Sequence, residues 1–194
     1  KVPHEHLFVR EQDYYERLNT TCIHATVARL LVEKQCIQLA DKTTLPYDKL
    51  LIATGSSPVM PPIPGLSGDG VHHLWTLADA AKLDPYFKEG NRVAVLGSGF
   101  VSLQGACAAL SRGLHVSVIE LMNRIMPRAL DERGANLLAS RMKEKGVDLR
   151  VNTLTTHIER LEDRKYRLFF KDGSNMTADF IIVGTGVQPN IAFL

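Results

Sequence analysis

An internal repeat constrains the fold of this chain most. Laid on itself with a shift of 131 residues, VARLLVEKQCIQLADKTTLPYDKLLIATGSSP (27–58) falls without a gap on IERLEDRKYRLFFKDGSNMTADFIIVGTGVQP (158–189). Eight of the 32 paired positions are identical: Arg29/Arg160, Leu30/Leu161, Lys34/Lys165, Asp41/Asp172, Asp48/Asp179, Thr54/Thr185, Gly55/Gly186 and Pro58/Pro189. Each copy reads as two short strands around a charged turn, then a second turn, an acidic residue and an apolar strand ending in T-G-x-x-P. The runs before T-G, DKLLIATG and DFIIVGTG, suit strands buried on both faces, as parallel sheets require. The chain is therefore expected to hold the ends of two similar domains.

Only the second copy follows a Gly-rich unit, which begins at Val93. The expected organisation is residues 1–56 as the C-terminal part of an incomplete domain, 57–188 as a complete one, and 189–194 as the start of a return to the first. Four prolines and four glycines between Gly55 and Gly70 fit an extended crossing between the two. After it, HHLWTLADAAKLDPYF restarts helical periodicity, with Thr76 and Asp79 spaced as a capping box.

The Gly-rich unit reads VAVLGSGFVSLQGACAAL from Val93 to Leu110. RVAVLG is a short apolar strand, SLQGACAALSRG a helix stopping at Gly113 with Arg112 at its negative end, and LHVSVIE a second buried strand. This is the βαβ order of a dinucleotide fingerprint G-x-G-x-x-G, with Ser102 at the third glycine. Gly97 permits the tight turn, and Gly99, lacking a Cβ, lets the backbone approach a pyrophosphate on the helix N-terminus. The third position serves helix-to-strand packing and asks for smallness. The Ser102 hydroxyl is expected to bond back to a carbonyl of the preceding turn, while Gly105 and Ala106 keep that face thin. Glu120 stands 21 residues after Gly99, at the end of the second strand, where a carboxylate can accept hydrogen bonds from ribose hydroxyls. Leu121 follows, with no basic residue until Arg124, so NAD(H) is expected over NADP(H).

Lys plus Arg total 23 and Asp plus Glu 21, a balance of +2 that gives no strong pull toward nucleic acid or anionic lipid. The longest uncharged run, Val93 to Ser111, is broken by glycines, serines and Gln104, which favours strand plus helix over a membrane span. Cys22, Cys36 and Cys107 are scattered, form no metal spacing, and suit a reducing cytoplasm. Cys107, between two alanines, is expected to be a small buried side chain. His72 and His73 are expected as an exposed pair at the linker exit, as are His4 and His6, and no metal site is expected.

These motifs together resemble the FAD-dependent pyridine nucleotide-disulfide oxidoreductases, in the branch of NADH oxidases, coenzyme A-disulfide reductases and NADH:acceptor reductases. YDKLLIATGSSPVMPPIPG resembles that family's crossing from FAD domain to NAD domain, ELMNRIMPRALDERGANLLASRMKEKGVDL its segment after the ribose acid, and GTGVQPNIAFL its return to the FAD domain. The resemblance implies an α/β fold: a Rossmann-like NAD-binding domain with a parallel sheet plus a three-stranded antiparallel crossover, flanked by an incomplete FAD-binding domain of the same type. It implies NADH held along Gly97, Ser98, Gly99, Phe100, Val101 and Ser102, with Gly186 beside it and Thr54 and Gly55 near FAD. Hydride would pass from nicotinamide C4 to flavin N5, and electrons onward to a small molecule or small protein. The family's FAD fingerprint, any redox cysteine and the C-terminal dimerisation region are expected outside these residues, so the chain alone is expected to bind NADH without turning over. Two positions depart from the family pattern. Ser102 stands where it more often has Gly or Ala, and Gln104 where it often has a glutamate near the nicotinamide.

Two other readings use the same Gly-rich turn. A non-catalytic NAD-responsive module would need no second domain of the same type. A methyltransferase binding S-adenosylmethionine also uses a strand-end acid, and would lack the repeat.

Overall fold

A computed structural model describes residues 7, 9–11 and 13–194; His4 and His6 lie outside them. The chain divides into two compact units, one running up to Thr54 and taking in Ile191–Leu194, the other Gly55–Asn190.

The first unit holds a short helix, α1 (Tyr14–Arg17), and an antiparallel meander of β1 (Val27–Leu31), β2 (Cys36–Leu39) and β3 (Thr44–Pro46). The second opens on β4 (Ser56–Pro58), then β5 (Val71–His73) and α2 (Leu77–Leu83), whose Thr76–Asp79 capping box forms as the spacing predicts. β6 (Arg92–Leu96), α3 (Phe100–Leu110), β7 (His115–Ile119), α4 (Glu132–Glu144) and β8 (Asp148–Arg150) follow. A second antiparallel meander, β9 (Thr155–Arg160), β10 (Tyr166–Phe170) and β11 (Asn175–Ala178), leads to β12 (Phe180–Val183) and β13 (Val187–Pro189).

Five strands form one parallel sheet in the order β5-β12-β6-β7-β8. Its central strands are buried on both faces because alternate residues serve different layers. Val93, Val95, Val118, Phe180 and Ile182 pack with α3 and α4, through Leu103, Ala106, Ala135 and Met142. Ala94, Leu96, Ile119, Ile181 and Val183 pack with the meander, through Ile158, Tyr166, Leu168 and Phe170. The result is a Rossmann-like α/β unit with an antiparallel crossover covering one face.

The repeat is legible in the hydrogen bonding. Ile37 pairs with Leu45 as Leu168 pairs with Met176, each 131 residues on. Leu39 N donates to Thr43 O at 2.8 Å and Phe170 N to Ser174 O at 2.9 Å. The Asp41 and Asp172 carboxylates each accept the amide two residues on at 2.9 Å. Lys42 (φ 73°) and Gly173 (φ 84°) occupy the same left-handed position.

The ungapped overlay fails in the first hairpin. Ile37 pairs with Leu30, but Leu168 pairs with Ile158 and not with Leu161, a slip of three residues. One turn carries a 3-10 segment, Val32–Lys34, and a left-handed Gln35, whereas the other closes with Leu161 N donating to Lys165 O at 2.8 Å. Arg29/Arg160 and Leu30/Leu161 are thus matched in sequence only. The first copy's apolar run also differs from expectation. Residues 49–53 lie in no strand and Leu51 is 88% exposed; among the described residues no strand flanks them as β5 and β6 flank β12.

The two T-G-x-x-P ends pair with one another. β4 and β13 form an antiparallel ribbon with Ser57 opposite Gln188. Val59 N donates to Gly186 O and Asn190 N to Gly55 O, both at 3.0 Å. Since Gly55 and Val59 correspond to Gly186 and Asn190 in the repeat, each copy gives the other what it receives, a local two-fold relation.

Three further expectations are corrected. Cys107 is exposed, because α3 turns Leu103, Ala106 and Ala109 to the sheet and Phe100, Gln104, Cys107 and Ala108 outward at helical spacing. His72 and His73 are half-buried in β5 at the sheet edge, where the His73 ring lies 3.1 Å from Val183 O. Their alternation in a parallel strand buries both flanks. The third, the Ser102 hydroxyl bond, belongs to the site below.

Candidate dinucleotide site at the turn after β6

The strand order reverses between β6 and β12: the chain runs outward through β7 and β8, then returns to the other side of β6. In such sheets the crevice at the carboxyl ends of the two strands flanking the reversal is open to a ligand. Here it lies where the Gly97–Ser102 turn meets Gly184–Gly186.

The two fingerprint glycines serve different ends. Gly97 has φ 93°, and a Cβ on it would stand 2.5 Å from Gly184 O. The protein itself excludes a side chain there. Gly99 caps α3 with extended backbone, φ −72° and ψ 176°, and a Cβ on it would meet nothing within 4 Å. No protein contact or backbone strain demands this glycine. It faces open space at the positive end of an eleven-residue helix that has no side-chain cap and no acidic residue in its first turn. That combination fits a pyrophosphate.

Buried polar groups gather at the same turn. Of the four buried polar or charged side chains among the described residues, three are here: Ser98 and Ser102, each 1% exposed, and Glu120, 8% exposed. Ser102 Oγ donates to Gly184 O at 3.0 Å. It bonds across to the segment after β12, and not back to its own preceding turn, because α3 crosses close above that strand end. A Cβ on Gly184 would come 2.0 Å from Ser102 Oγ, so serine and glycine are matched across the contact.

Glu120 directly follows β7 and has both carboxylate oxygens engaged. Oε2 accepts from Ser98 N at 3.0 Å and from the Ser98 hydroxyl in a short hydrogen bond, while Oε1 accepts from Met122 N at 2.8 Å. Three of the roughly four acceptor positions of a carboxylate are taken. Met126 N also donates to Ser98 Oγ at 3.2 Å. The partners Met122 and Met126 carry no sequence signal, since they contribute backbone groups that any residue possesses; Gly184 accepts through its backbone too, but its lack of a Cβ is required by Ser102.

The structure thus brings together Gly97, Ser98, Gly99, Phe100, Val101, Ser102, Glu120 and, beyond Gly184, Gly186. Phe100 is 66% exposed at the start of α3, and Gln104 is exposed one turn further along the same face. Gly186 has φ 121° and open space around it. Gly55 holds the matching left-handed position, φ 68°, next to Thr54 at the start of the ribbon. A hollow of about 180 Å³ lies elsewhere, lined by Asp69, Tyr86, Arg160, Arg164, Lys165 and Asp179. Two of its cations are paired, Arg160 with Asp69 at 3.1 Å and Lys165 with Asp163 at 2.8 Å. That hollow lies at the amino ends of β5 and β12, beside Gly70 and Asp179, whereas the Gly97 turn lies at the carboxyl end of β6, the end at which such sheets bind dinucleotides. Among the described residues no helix is long and apolar enough to cross a membrane.

Comparison with known proteins shows the family and the fold. The family model described as pyridine nucleotide-disulphide oxidoreductase matches residues 4–194. The chain is 34% identical to rhodocoxin reductase of Rhodococcus erythropolis over 96% of this chain and 44% of that protein. It is 35% identical to the assimilatory nitrate reductase electron transfer subunit of Bacillus subtilis over 94% of this chain and 24% of that one. Among solved structures, the covalent putidaredoxin reductase–putidaredoxin complex superposes with a TM-score of 0.87 at 29% identity, over 96% of this chain and 46% of the other. The chain spans less than half the length of each.

Proposed function

The chain belongs to the pyridine nucleotide-disulphide oxidoreductase family, and on that premise we propose that residues 57–188 are the NAD(H)-binding module of a flavin-dependent NADH oxidoreductase. Residues 1–56 are the tail of its FAD-binding domain, with Thr54 and Gly55 beside the flavin, and residues 189–194 begin the return to it. The observation that carries this reading is the uncapped N-terminus of α3 at the sheet's reversal point, with Gly99 open to solvent.

When bound, the nicotinamide supplies hydride and the flavin takes it. This chain's own residues bind and orient. The first-turn amides of α3 hold the pyrophosphate, and the remaining acceptor position on Glu120 takes a ribose hydroxyl. Leu121 and Met122, exposed beyond β7, give the adenine an apolar surface. Gln104 offers the nicotinamide end a neutral hydrogen-bonding amide where a carboxylate would bring charge. NADH is favoured over NADPH because Glu120 repels a 2'-phosphate, while Arg124 is turned onto its own loop, donating to Pro127 O at 3.3 Å. The three unpaired cysteines suit a reducing compartment. The onward acceptor is a small redox protein, by analogy with the putidaredoxin and rhodocoxin named with two of the relatives.

Calorimetric titration of the chain with each nucleotide tests this. NADH is expected to bind at least about tenfold more tightly than NADPH, a difference of about 1.4 kcal/mol. Equal affinities would remove the role given to Glu120, and absence of binding would remove the proposal.

A further inference from the structure

Ser98 sits between the two fingerprint glycines, a position at which a phosphate turn requires no particular side chain. Here it is buried and fully used. Its amide and hydroxyl both donate to Glu120 Oε2, and its Oγ and carbonyl oxygen each lie 3.2 Å from Met126 N. Met126 and its neighbour Ile125 are themselves buried in the core. The serine therefore ties three segments at one point: the phosphate turn, the end of β7 and the loop that follows Glu120.

A glutamate has three rotatable side-chain torsions, and an unrestrained one can turn away from an approaching anion at small cost. Exclusion by repulsion works only when the repelling charge cannot retreat. With Oε2 fixed by two donors from one residue and Oε1 by Met122 N, the Glu120 carboxylate is held where it stands. We propose that Ser98 is a positioning residue for cofactor selectivity, its hydroxyl clamping the Glu120 carboxylate so that the 2'-phosphate of NADPH meets a fixed negative charge. Buried beneath Glu120, the Ser98 side chain does this without touching the nucleotide. The inference rests on the dinucleotide reading above.

The test measures NADH and NADPH dissociation constants and thermal midpoints for the full chain and for Ser98→Ala, Ser98→Cys, Glu120→Gln and the Ser98→Ala/Glu120→Gln double variant. Ser98→Ala is expected to narrow the NADPH-to-NADH ratio of dissociation constants about fivefold, the worth of one net hydrogen bond. Ser98→Cys, a weaker donor of similar size, falls between Ala and Ser. In the Glu120→Gln background, Ser98→Ala leaves the ratio unchanged, because the charge being clamped is gone. An unchanged ratio in Ser98→Ala with NADH still bound, whatever the thermal midpoint does, overturns this inference alone. An equal change with and without the Glu120 charge overturns it too. Failure of the unsubstituted chain to bind either nucleotide overturns the dinucleotide reading and this one with it.

Discussion

Gly99→Ala separates a ligand-facing glycine from a structural one two residues away. At φ −72° and ψ 176° an alanine meets no backbone strain, and its Cβ would touch nothing within 4 Å. Replacing glycine lowers unfolded-chain entropy, a gain of about 0.4–1 kcal/mol. Against this stands the poorer performance of alanine than glycine at a helix N-cap, a cost of about 0.5–1 kcal/mol. The two nearly cancel, so the folded chain should keep its stability to within about 1 kcal/mol, or about 4 °C in thermal midpoint. Binding should suffer much more. A methyl group over the first turn of α3 displaces the pyrophosphate from its amides, and the loss of one charge-assisted hydrogen bond, about 1.5–3 kcal/mol, weakens NADH about 10–150-fold. Scanning calorimetry and NADH titration of the same sample give both numbers. Gly97→Ala is the contrast, since its Cβ would stand 2.5 Å from Gly184 O on a left-handed backbone. It should lose more than about 2 kcal/mol of stability. Gly99→Ala binding NADH as tightly as the native chain, or losing as much stability as Gly97→Ala, would refute the assignment of the two glycines.

Ser102→Ala removes the donor to Gly184 O and should cost about 1–2 kcal/mol in denaturant unfolding; no loss would show the cross-bond to be incidental. Burial first, and the positive charge of Lys82 second, hold the His72 imidazole below its ordinary value of 6.5. As pH falls the unfolded chain takes up this proton before the folded one. Stability from a neutral His72 is thus complete above pH 6.5 and declines below it, and His72→Gln should flatten the fall in thermal midpoint between about pH 7.5 and about pH 5. An identical fall in the variant would place the titration elsewhere. Thr76→Ala, which breaks the capping box on α2, should cost about 1 kcal/mol, measured the same way.

Much of the architecture was legible in the chain because it depends on periodicity and on glycine. The strand–turn–helix–strand order from Arg92 to Ile119, the capping box and the second hairpin of each repeat all follow from residue types at fixed spacing. What was not legible depends on partners distant in sequence. Ser102 finds its acceptor 82 positions away at Gly184, and Glu120 is shared with Ser98 22 positions before it. The first hairpin's slip arises from turn geometry at Gln35 and Arg164, non-glycine residues in left-handed conformations that composition does not announce. Cys107 read as buried because its neighbours are alanines, yet a helix has an outward face whatever its composition. The His72–His73 pair read as a linker exit because β5 is a three-residue edge strand whose only signal is Val71.

The proposed site puts a dinucleotide across the N-terminus of α3. Amide chemical-shift mapping of the isotope-labelled chain during NADH titration tests it directly. Saturable shifts are expected at Gly99, Phe100, Val101 and Ser102, with Met122 and Gly186 following at the same midpoint. Saturable binding that leaves those α3 amides unmoved while shifting amides elsewhere would contradict it.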